Sequence, residues 1–387
     1  MKLNNRSKTG AIVAMVLSSL VLAACSSGDD DDSSNASAGA DCDDVTTVRL
    51  AQVGSTFGLG SAAYGQVPLQ MGYYKDECLD VKSTFQVDGS AGLVASLVTG
   101  NAEFGIAGPS TIMNALAEDP KAGLKVIYFT GYNNVRAVVA DDSPLKTYGD
   151  LAGKKVGATS EGASTKALCE LAARQQGASD TDSIDWSYTT QLGSAAQALK
   201  SDKFDAWCGL DTDVPNFAGV KVQTRPLTLP DGLAETVLPG GGVVTTDKFL
   251  ADHPDVVEAF LRAVMNGTQF ALANPEATGF LMLKQDPNTA PLGDSPKDQV
   301  EAAKDVWLAR AANIVPVAKD VIPGDQPDDL VQKGVDLYIQ AGLAPSTVTL
   351  DQWLDLSLFR KIAADVDTTG AVQDAKDFKI PADYKFK

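Results

Sequence analysis

The pattern of apolar residues predicts strands that alternate with helices along the first part of the chain. Strands are predicted where β-branched and other apolar residues cluster or alternate with polar ones, at 46–53, 80–87, 103–108 and 124–130. Helices are predicted between them at 61–74, 90–99 and 110–118. This order is typical of a mainly parallel sheet flanked by helices, so the predicted fold class is α/β.

The same alternation begins again after about residue 140. It predicts strands at 154–159, 183–189 and 204–210, with helices at 162–176 and 194–201. The stretches "GSAGLVASLVTGNAEFGIAG" and "GSAAQALKSDKFDAWCGL" both run from Gly-Ser-Ala through a short helix and a polar turn to a strand, which predicts two similar lobes. The remainder, from residue 240, is rich in predicted helices, at 254–274, 296–311, 327–342 and 350–366.

The first 24 residues have the features of an export signal. Basic Lys2, Arg6 and Lys8 precede the apolar run "AIVAMVLSSLVLAA", which is short for a membrane-spanning helix. The run ends in "LAAC", which resembles a bacterial lipobox, so we expect removal of residues 1–24 and lipidation of Cys25. A plain secretory signal is the alternative. The expected location is extracytoplasmic, on the outer face of the cell membrane or in the periplasm.

Residues 25–45 are predicted to form a flexible tether behind the lipid anchor. They contain a run of four aspartates and almost no large apolar groups, so they cannot bury enough surface to fold. A calcium-binding loop is the alternative, but alternating ligands and a turn glycine are missing.

Charge and residue content restrict the function. The net charge of −18 opposes nucleic-acid binding. His253 is the only histidine, so a histidine-based triad or a histidine-rich metal site is nearly excluded. The sequence contains no Walker motif and no dinucleotide fingerprint. We therefore expect no cofactor, no metal and no enzyme activity, although abundant carboxylates leave an acid pair open.

Four cysteines remain after Cys25. An even number in an exported chain predicts disulfides, and four cysteines allow three pairings. We favour Cys42–Cys78 and Cys169–Cys208, because each pair then stays within one predicted lobe. Free buried thiols are the alternative.

Candidate ligand-binding residues follow the predicted strands, because ligands of open α/β sheets lie beyond the carboxyl ends of the strands. Most of these loops precede helices, whose free N–H groups suit anionic or electron-rich ligand groups. Ordinary helix capping is the alternative for each serine and threonine. The candidates are Ser55, Thr56, Phe57, Tyr64, Gly89, Ser90, Ala91, Gly108, Ser110, Thr111, Ser160, Gly162, Ser164, Thr165 and Asp211.

Several stretches, in order, resemble one known protein group. "GYYKDECLDVK", "GSAGLVASLVTGNAEFGIAGPS", "DLAGKKVGATSEGAST" and "GGGVVTTDKFLADHPDVVEAFLRAV" are similar to segments of the solute-binding proteins of ABC importers. The group is the one for nitrate, sulfonate, taurine and thiamine-pyrimidine precursors. The resemblance spans about residues 46–275. Two departures are Cys78, where the group usually has glycine, and Glu103, where it often has aspartate.

The resemblance implies a two-lobed fold of the type II periplasmic binding proteins, with a helical C-terminal extension. Lobe I would comprise 46–138 plus 240–387 and lobe II 141–238, with a hinge between them. The implied function is capture of a small solute and its delivery to ABC permease subunits by a monomer. A sensor module for a membrane receptor and a lipid-anchored enzyme on the same fold are the alternatives.

The ligand class is less determined by the sequence. The candidate loops contain few basic residues, while Phe57, Tyr64, Tyr132, Trp186 and Trp207 offer ring faces for stacking or simply pack in the core. Asp211 and Asp213 either bind an amine or are solvated. We favour a small organic solute with ring or polar groups over a bare inorganic anion.

Overall fold

Two five-stranded sheets form the framework of the protein. The computed structural model describes residues 42–386 except 55, 59, 87, 88, 133, 162, 235–238, 288–294 and 315–320. The predicted signal, Cys25 and residues 25–41 of the predicted tether lie outside the described residues. The strands are β1 (Thr46–Val53), β2 (Leu79–Gln86), β3 (Phe104–Ala107), β4 (Leu124–Tyr132), β5 (Val135–Ala140), β6 (Lys155–Ala158), β7 (Asp185–Tyr188), β8 (Ala206–Leu210), β9 (Thr224–Pro226) and β10 (Pro239–Thr246).

The two sheets share one topology. The first has the order β2-β1-β3-β10-β4 and the second β7-β6-β8-β5-β9. In each sheet a single strand runs against the others, β10 in the first and β5 in the second. Each of these two strands begins just after the chain has crossed from the other sheet. The predicted fold class, two mainly parallel sheets flanked by helices, is confirmed.

Helices cover the sheets and dominate the C-terminal region. They are α1 (Gln66–Met71), α2 (Tyr73–Asp76), α3 (Ser90–Val98), α4 (Pro109–Glu118), α5 (Ser164–Gln175), α6 (Leu192–Lys200), α7 (Asp213–Gly219), α8 (Asp231–Ala234), α9 (Asp247–Asp252), α10 (Pro254–Ala273), α11 (Pro275–Gln285), α12 (Pro296–Ala311), α13 (Asp328–Gln340), α14 (Leu350–Trp353), α15 (Ser357–Asp365) and α16 (Thr369–Asp377). None of the described helices is long and apolar enough to cross a membrane.

Helix α12 lies where its pattern predicts it and extends from the core toward the second sheet. Its start is fixed by Pro296 and by Ser295, whose hydroxyl accepts a hydrogen bond from the N–H of Asp298. Trp307 is fully buried and donates from Nε1 to the carbonyl of Ala271 in α10 at 2.7 Å. These contacts hold the body of α12 against the helices of the first sheet.

Two predicted helices differ from the structure. The apolar spacing of residues 350–366 predicts one helix, but the chain makes α14 and α15 with a break between them. At the break Leu354 forms a bridge with Val126 of β4, and the Asp355 carboxylate accepts a hydrogen bond from the N–H of Ser357. These contacts outweigh the local helical pattern. The helix predicted at 61–74 begins only at Gln66 and is interrupted at Gly72, whose φ of 87° is left-handed.

Both favoured disulfides are present. Cys42–Cys78 lies beside the amino ends of β1 and β2, with a Cα–Cα distance of 5.7 Å. Cys169–Cys208 joins α5 to β8, with a Cα–Cα distance of 6.4 Å, and both of its residues are fully buried. The two bonds therefore hold different parts of the molecule.

Candidate functional site

A cleft lies where the carboxyl ends of the two sheets face each other. Its volume is about 590 Å³, within the range of small-molecule sites. Gln52, Val53 and Ile106 line it from the first sheet, and Gly209 and Leu210 line it from the second. This is the edge of an α/β sheet at which ligands bind.

The amino end of α5 forms one wall of this cleft. Ser164 and Thr165 are the first two residues of the helix, and both line the cavity. The free N–H groups of a helix start carry a partial positive charge. Thr165 is buried, and its hydroxyl has no hydrogen-bond partner among the described residues. This wall therefore offers both backbone and side-chain hydrogen bonds to a ligand.

An ion pair joins the two sides of the cleft. Arg310, in the last turn of α12, contacts Asp211, just after β8, with a distance of 2.8 Å between Nη2 and Oδ1. Asn313 Nδ2 donates to the other carboxylate oxygen of Asp211 at 2.9 Å. Burial raises the pKa of Asp211, and Arg310 and Asn313 oppose this shift. Arg310, the basic residue among the described lining residues, is thus already paired with a carboxylate.

Asp213 is a second buried carboxylate, held by donors of its own strand-to-helix turn. Its Oδ2 accepts hydrogen bonds from Trp207 Nε1 at 2.7 Å and from the N–H of Leu210 at 2.9 Å. A Cβ at position 209 would overlap both the Asp213 carboxylate and the Trp207 indole. Glycine is therefore required at 209 for this network to form.

We expect Asp213 to make folding stability depend on pH. Burial raises its pKa to about 6, against the hydrogen bonds from Leu210 and Trp207. Because the folded protein holds this proton more tightly than the unfolded chain, stability falls as the pH rises through about 4 to 6. Relative to Asp213→Asn, the wild type should lose about 2 kcal/mol between pH 4 and pH 7. Urea unfolding of both proteins across this range measures the difference, and a constant difference would contradict the assignment.

Three polar atoms of the cleft have no partner among the described residues. They are Gln52 Nε2 at the end of β1, Thr165 Oγ1 at the start of α5 and Arg310 Nε on α12. Leaving a buried polar atom unpaired costs roughly 1–3 kcal/mol. Because the three come from both sides of one cavity, a ligand that supplies hydrogen-bond acceptors would satisfy them together.

Some sequence-predicted residues meet at this cleft. Tyr64, Ser164 and Thr165 line it, and Asp211 pairs with its Arg310. Burial raises the pKa of Tyr64 to about 12, and the nearby Arg310 charge opposes this rise. Ser160 is exposed in the loop next to the cleft residue Thr159.

Another group of predicted residues lies on a different surface. Ser90, Ala91 and Thr111 line a mainly apolar groove of about 550 Å³ between α3 and α4. Gly89 and Gly108 directly precede these helices, and Ser110 is the second residue of α4. The structure thus brings Ser90, Ala91 and Thr111 together, but at this α3–α4 groove. A role of these residues in ligand binding stays a sequence-based prediction, whereas their position at the groove leads us to expect that Ser90→Trp keeps solute binding in the cleft.

The remaining candidates are engaged elsewhere or lie outside the described residues. The Thr56 hydroxyl donates to the Asp286 carboxylate. Phe57 is buried, with its ring edge-on to Phe85 at 5.3 Å between centroids. Ser55 and Gly162 lie outside the described residues.

Of the aromatic candidates for stacking, Tyr64 reaches the cleft. Tyr132 and Trp207 are buried, and Tyr132 donates its hydroxyl proton to the carbonyl of Asp325. Trp186 is half-buried beneath the ammonium of Lys166, which lies 5.2 Å from the ring centroid. These three side chains pack within the protein.

The described residues contain no cluster of three or more His, Cys, Asp or Glu able to hold a metal. His253 stands between α9 and α10, with its ring 4.9 Å from that of Phe249. It is not among the residues that line the cleft.

Sequence reasoning missed Arg310 and Gln52. Arg310 belongs to a correctly predicted helix, but its local pattern gives no sign that the last turn reaches the second sheet. Gln52 is a polar residue near the end of a predicted strand, and its position at the carboxyl edge was the available signal.

The sequence profile of the NMT1/THI5-like family matches residues 67–278, more than half of the chain. The chain belongs to the NMT1/THI5-like family. The matched segment includes α5, β8 and Asp213, and it ends before α12. None of the curated proteins matches this chain.

Solved structures share the fold of this NMT1/THI5-like protein at low sequence identity. The alkanesulfonate-binding protein SsuA from Xanthomonas axonopodis pv. citri, bound to MOPS, is 15% identical with a TM-score of 0.58, and the match covers 81% of this chain and 100% of SsuA. The nitrate-binding protein NrtA from Synechocystis PCC 6803 is 13% identical with a TM-score of 0.58, and the match covers 85% of this chain and 91% of NrtA. The desulfurization enzyme DszB is 15% identical with a TM-score of 0.54, and the match covers 82% of this chain and 99% of DszB. The shared fold is that of the periplasmic binding proteins.

Proposed function

We propose that this protein is the solute-binding component of an ABC importer and that it captures a small organic solute in the cleft. The observation that carries the proposal is a set of three polar atoms in one cavity, on Gln52, Thr165 and Arg310, that have no hydrogen-bond partner within the described part of the chain. The similarity in fold to SsuA and NrtA, a sulfonate-binding and a nitrate-binding protein, supports it.

A solute in this cleft would hold the two sides together. Gln52 and Arg310 approach it from the first sheet and its helices, and Thr165 approaches from the second. A ligand that contacts both sides binds a closed arrangement more tightly than an open one, and this difference drives closure. Delivery of the solute to a membrane permease would follow from recognition of the closed form.

The charges of the cleft favour a solute without net negative charge. Among the described lining residues the charged ones are Arg310 and Asp213. Arg310 is already neutralised by Asp211, so an ionised Asp213 leaves an excess negative charge. An inorganic anion would meet this charge, whereas an uncharged or zwitterionic solute can still use the free donors. We therefore propose a net-neutral organic solute with several hydrogen-bond acceptors.

A thermal-shift panel tests this solute class. Cytosine, riboflavin and taurine represent net-neutral solutes, and nitrate and sulfate represent inorganic anions. A binder at a hundredfold excess over its Kd adds about 2.7 kcal/mol to the free energy of unfolding. We expect the largest rise in Tm at pH 7 within the net-neutral group. A larger rise with nitrate or sulfate would overturn the charge argument.

The proposed location is extracytoplasmic, with Cys25 as a lipid anchor and the residues between it and Cys42, which is held by the Cys42–Cys78 disulfide, as a tether to the membrane. The two disulfides are consistent with an oxidising compartment. Metabolic labelling with a fatty acid should mark the full chain and leave a Cys25→Ala variant unlabelled.

An enzyme on this fold is the second candidate function. The pKa of about 6 at Asp213 favours it, because a carboxyl group that titrates near neutral pH can transfer protons. Conversion of a bound solute would support this candidate, and recovery of the solute unchanged would support binding alone.

A further inference from the structure

The Cys169–Cys208 disulfide lies directly behind the cleft. Cys169 follows Thr165 by four residues in α5, so the two side chains share one face of the helix. Cys208 directly precedes Gly209 and Leu210, which line the cleft. One covalent bond therefore connects the wall that carries Thr165 to the strand end that leads to Asp213.

We propose that this disulfide is a positioning element of the cleft. It fixes the second turn of α5 against the middle of β8, one turn from Thr165 and two residues from Leu210, and so sets the spacing between the Thr165 hydroxyl and the Asp213 network. The role in ligand binding rests on the proposed function, whereas the effect on α5 does not.

The other disulfide provides a matched control. Cys42–Cys78 closes a loop of 36 residues and Cys169–Cys208 one of 39, so chain entropy predicts nearly equal contributions to stability. Cys78 directly precedes β2, at the end of the sheet away from the cleft. The eight residues of β1 rise about 3.3 Å each, which places this bond roughly 25 Å from the cleft end of the strand.

The test compares C169A/C208A with C42A/C78A in the full chain, below the Tm of both variants. Hydrogen exchange followed by mass spectrometry reports on α5 without any ligand. We expect exchange in the first two turns of α5 to become about tenfold faster in C169A/C208A and to stay unchanged in C42A/C78A. We also expect at least a tenfold loss of affinity, in the first variant only, for the panel compound that binds the wild type best.

The outcomes separate the two proposals. Unchanged exchange in α5, or equal changes in both variants, would overturn the positioning role. Failure of both C169A/C208A and C169V/C208A to fold would also overturn it, because the disulfide would then be required for the stability of the whole fold and not specifically for the position of α5. If no panel compound binds the wild type, the proposed solute class fails, while the exchange result still decides whether the disulfide positions α5.

Discussion

Arg310→Met should destabilise the protein by about 3–5 kcal/mol at pH 7, because removal of one partner from a buried ion pair leaves an uncompensated charge. The Arg310 and Asp211 side chains are only 13% and 3% exposed. Without the guanidinium, Asp211 keeps the hydrogen bond from Asn313, but its carboxylate stays out of water. Urea unfolding of the variant and the wild type measures the difference.

The loss should depend on pH in a defined direction. Removal of Arg310 raises the pKa of Asp211 further above its unfolded value, since the guanidinium opposes the effect of burial. The loss of unfolding free energy in the variant is then smallest at low pH, where Asp211 is protonated in both the folded and the unfolded protein. It is largest at pH 7. Adding Asp211→Asn should restore most of the lost stability.

Arg262→Met is the matched control. Arg262 pairs with Glu258 one turn away in α10, and the two side chains are 37% and 29% exposed. Pairs of this kind contribute about 0.3–0.5 kcal/mol. An Arg310→Met variant no less stable than Arg262→Met would show that the pair across the cleft does not hold the two sides together.

The sequence predicts the sheets well because their signals are local. Apolar runs determine β1 and β4, and Pro296 determines the start of α12. Each of these signals lies within the element that it specifies or directly beside it. The break between α14 and α15 could not be predicted, because it depends on Leu354 meeting Val126, a residue far away in the chain. Tertiary contacts decide such cases.

The candidate site was predictable where its residues directly follow a predicted strand and open a helix. Ser164 and Thr165 follow β6 and open a helix, so their place at the carboxyl edge could be inferred. Ser90 opens α3 in the same way, yet it faces the α3–α4 groove, because the packing of α3 against α4 decides where the side chain lies. Arg310 reaches the cleft through the packing of α12 on α10, which has no sequence signature.

Ser164→Trp should weaken solute binding at least about a hundredfold, or by more than 2.7 kcal/mol. Ser164 is exposed, is the first residue of α5 and lines the cleft, so an indole at this position occupies the space of a solute. Ser90→Trp is the matched control, because Ser90 is also an exposed serine at the first position of a helix but lines the α3–α4 groove. Both substitutions place the new ring at the surface, so the fold should persist.

Equilibrium dialysis of the full chain and these two variants against a mixture of cytosine, riboflavin, taurine, MOPS and nitrate, with mass spectrometry of the retained compounds, tests the central claim most directly. We expect the wild type and Ser90→Trp to retain the same solute, chemically unchanged, and Ser164→Trp to lose it. Retention by the wild type no greater than by Ser164→Trp, loss of the solute in Ser90→Trp, or its recovery as a new product would contradict a protein that only holds and releases a solute in this cleft.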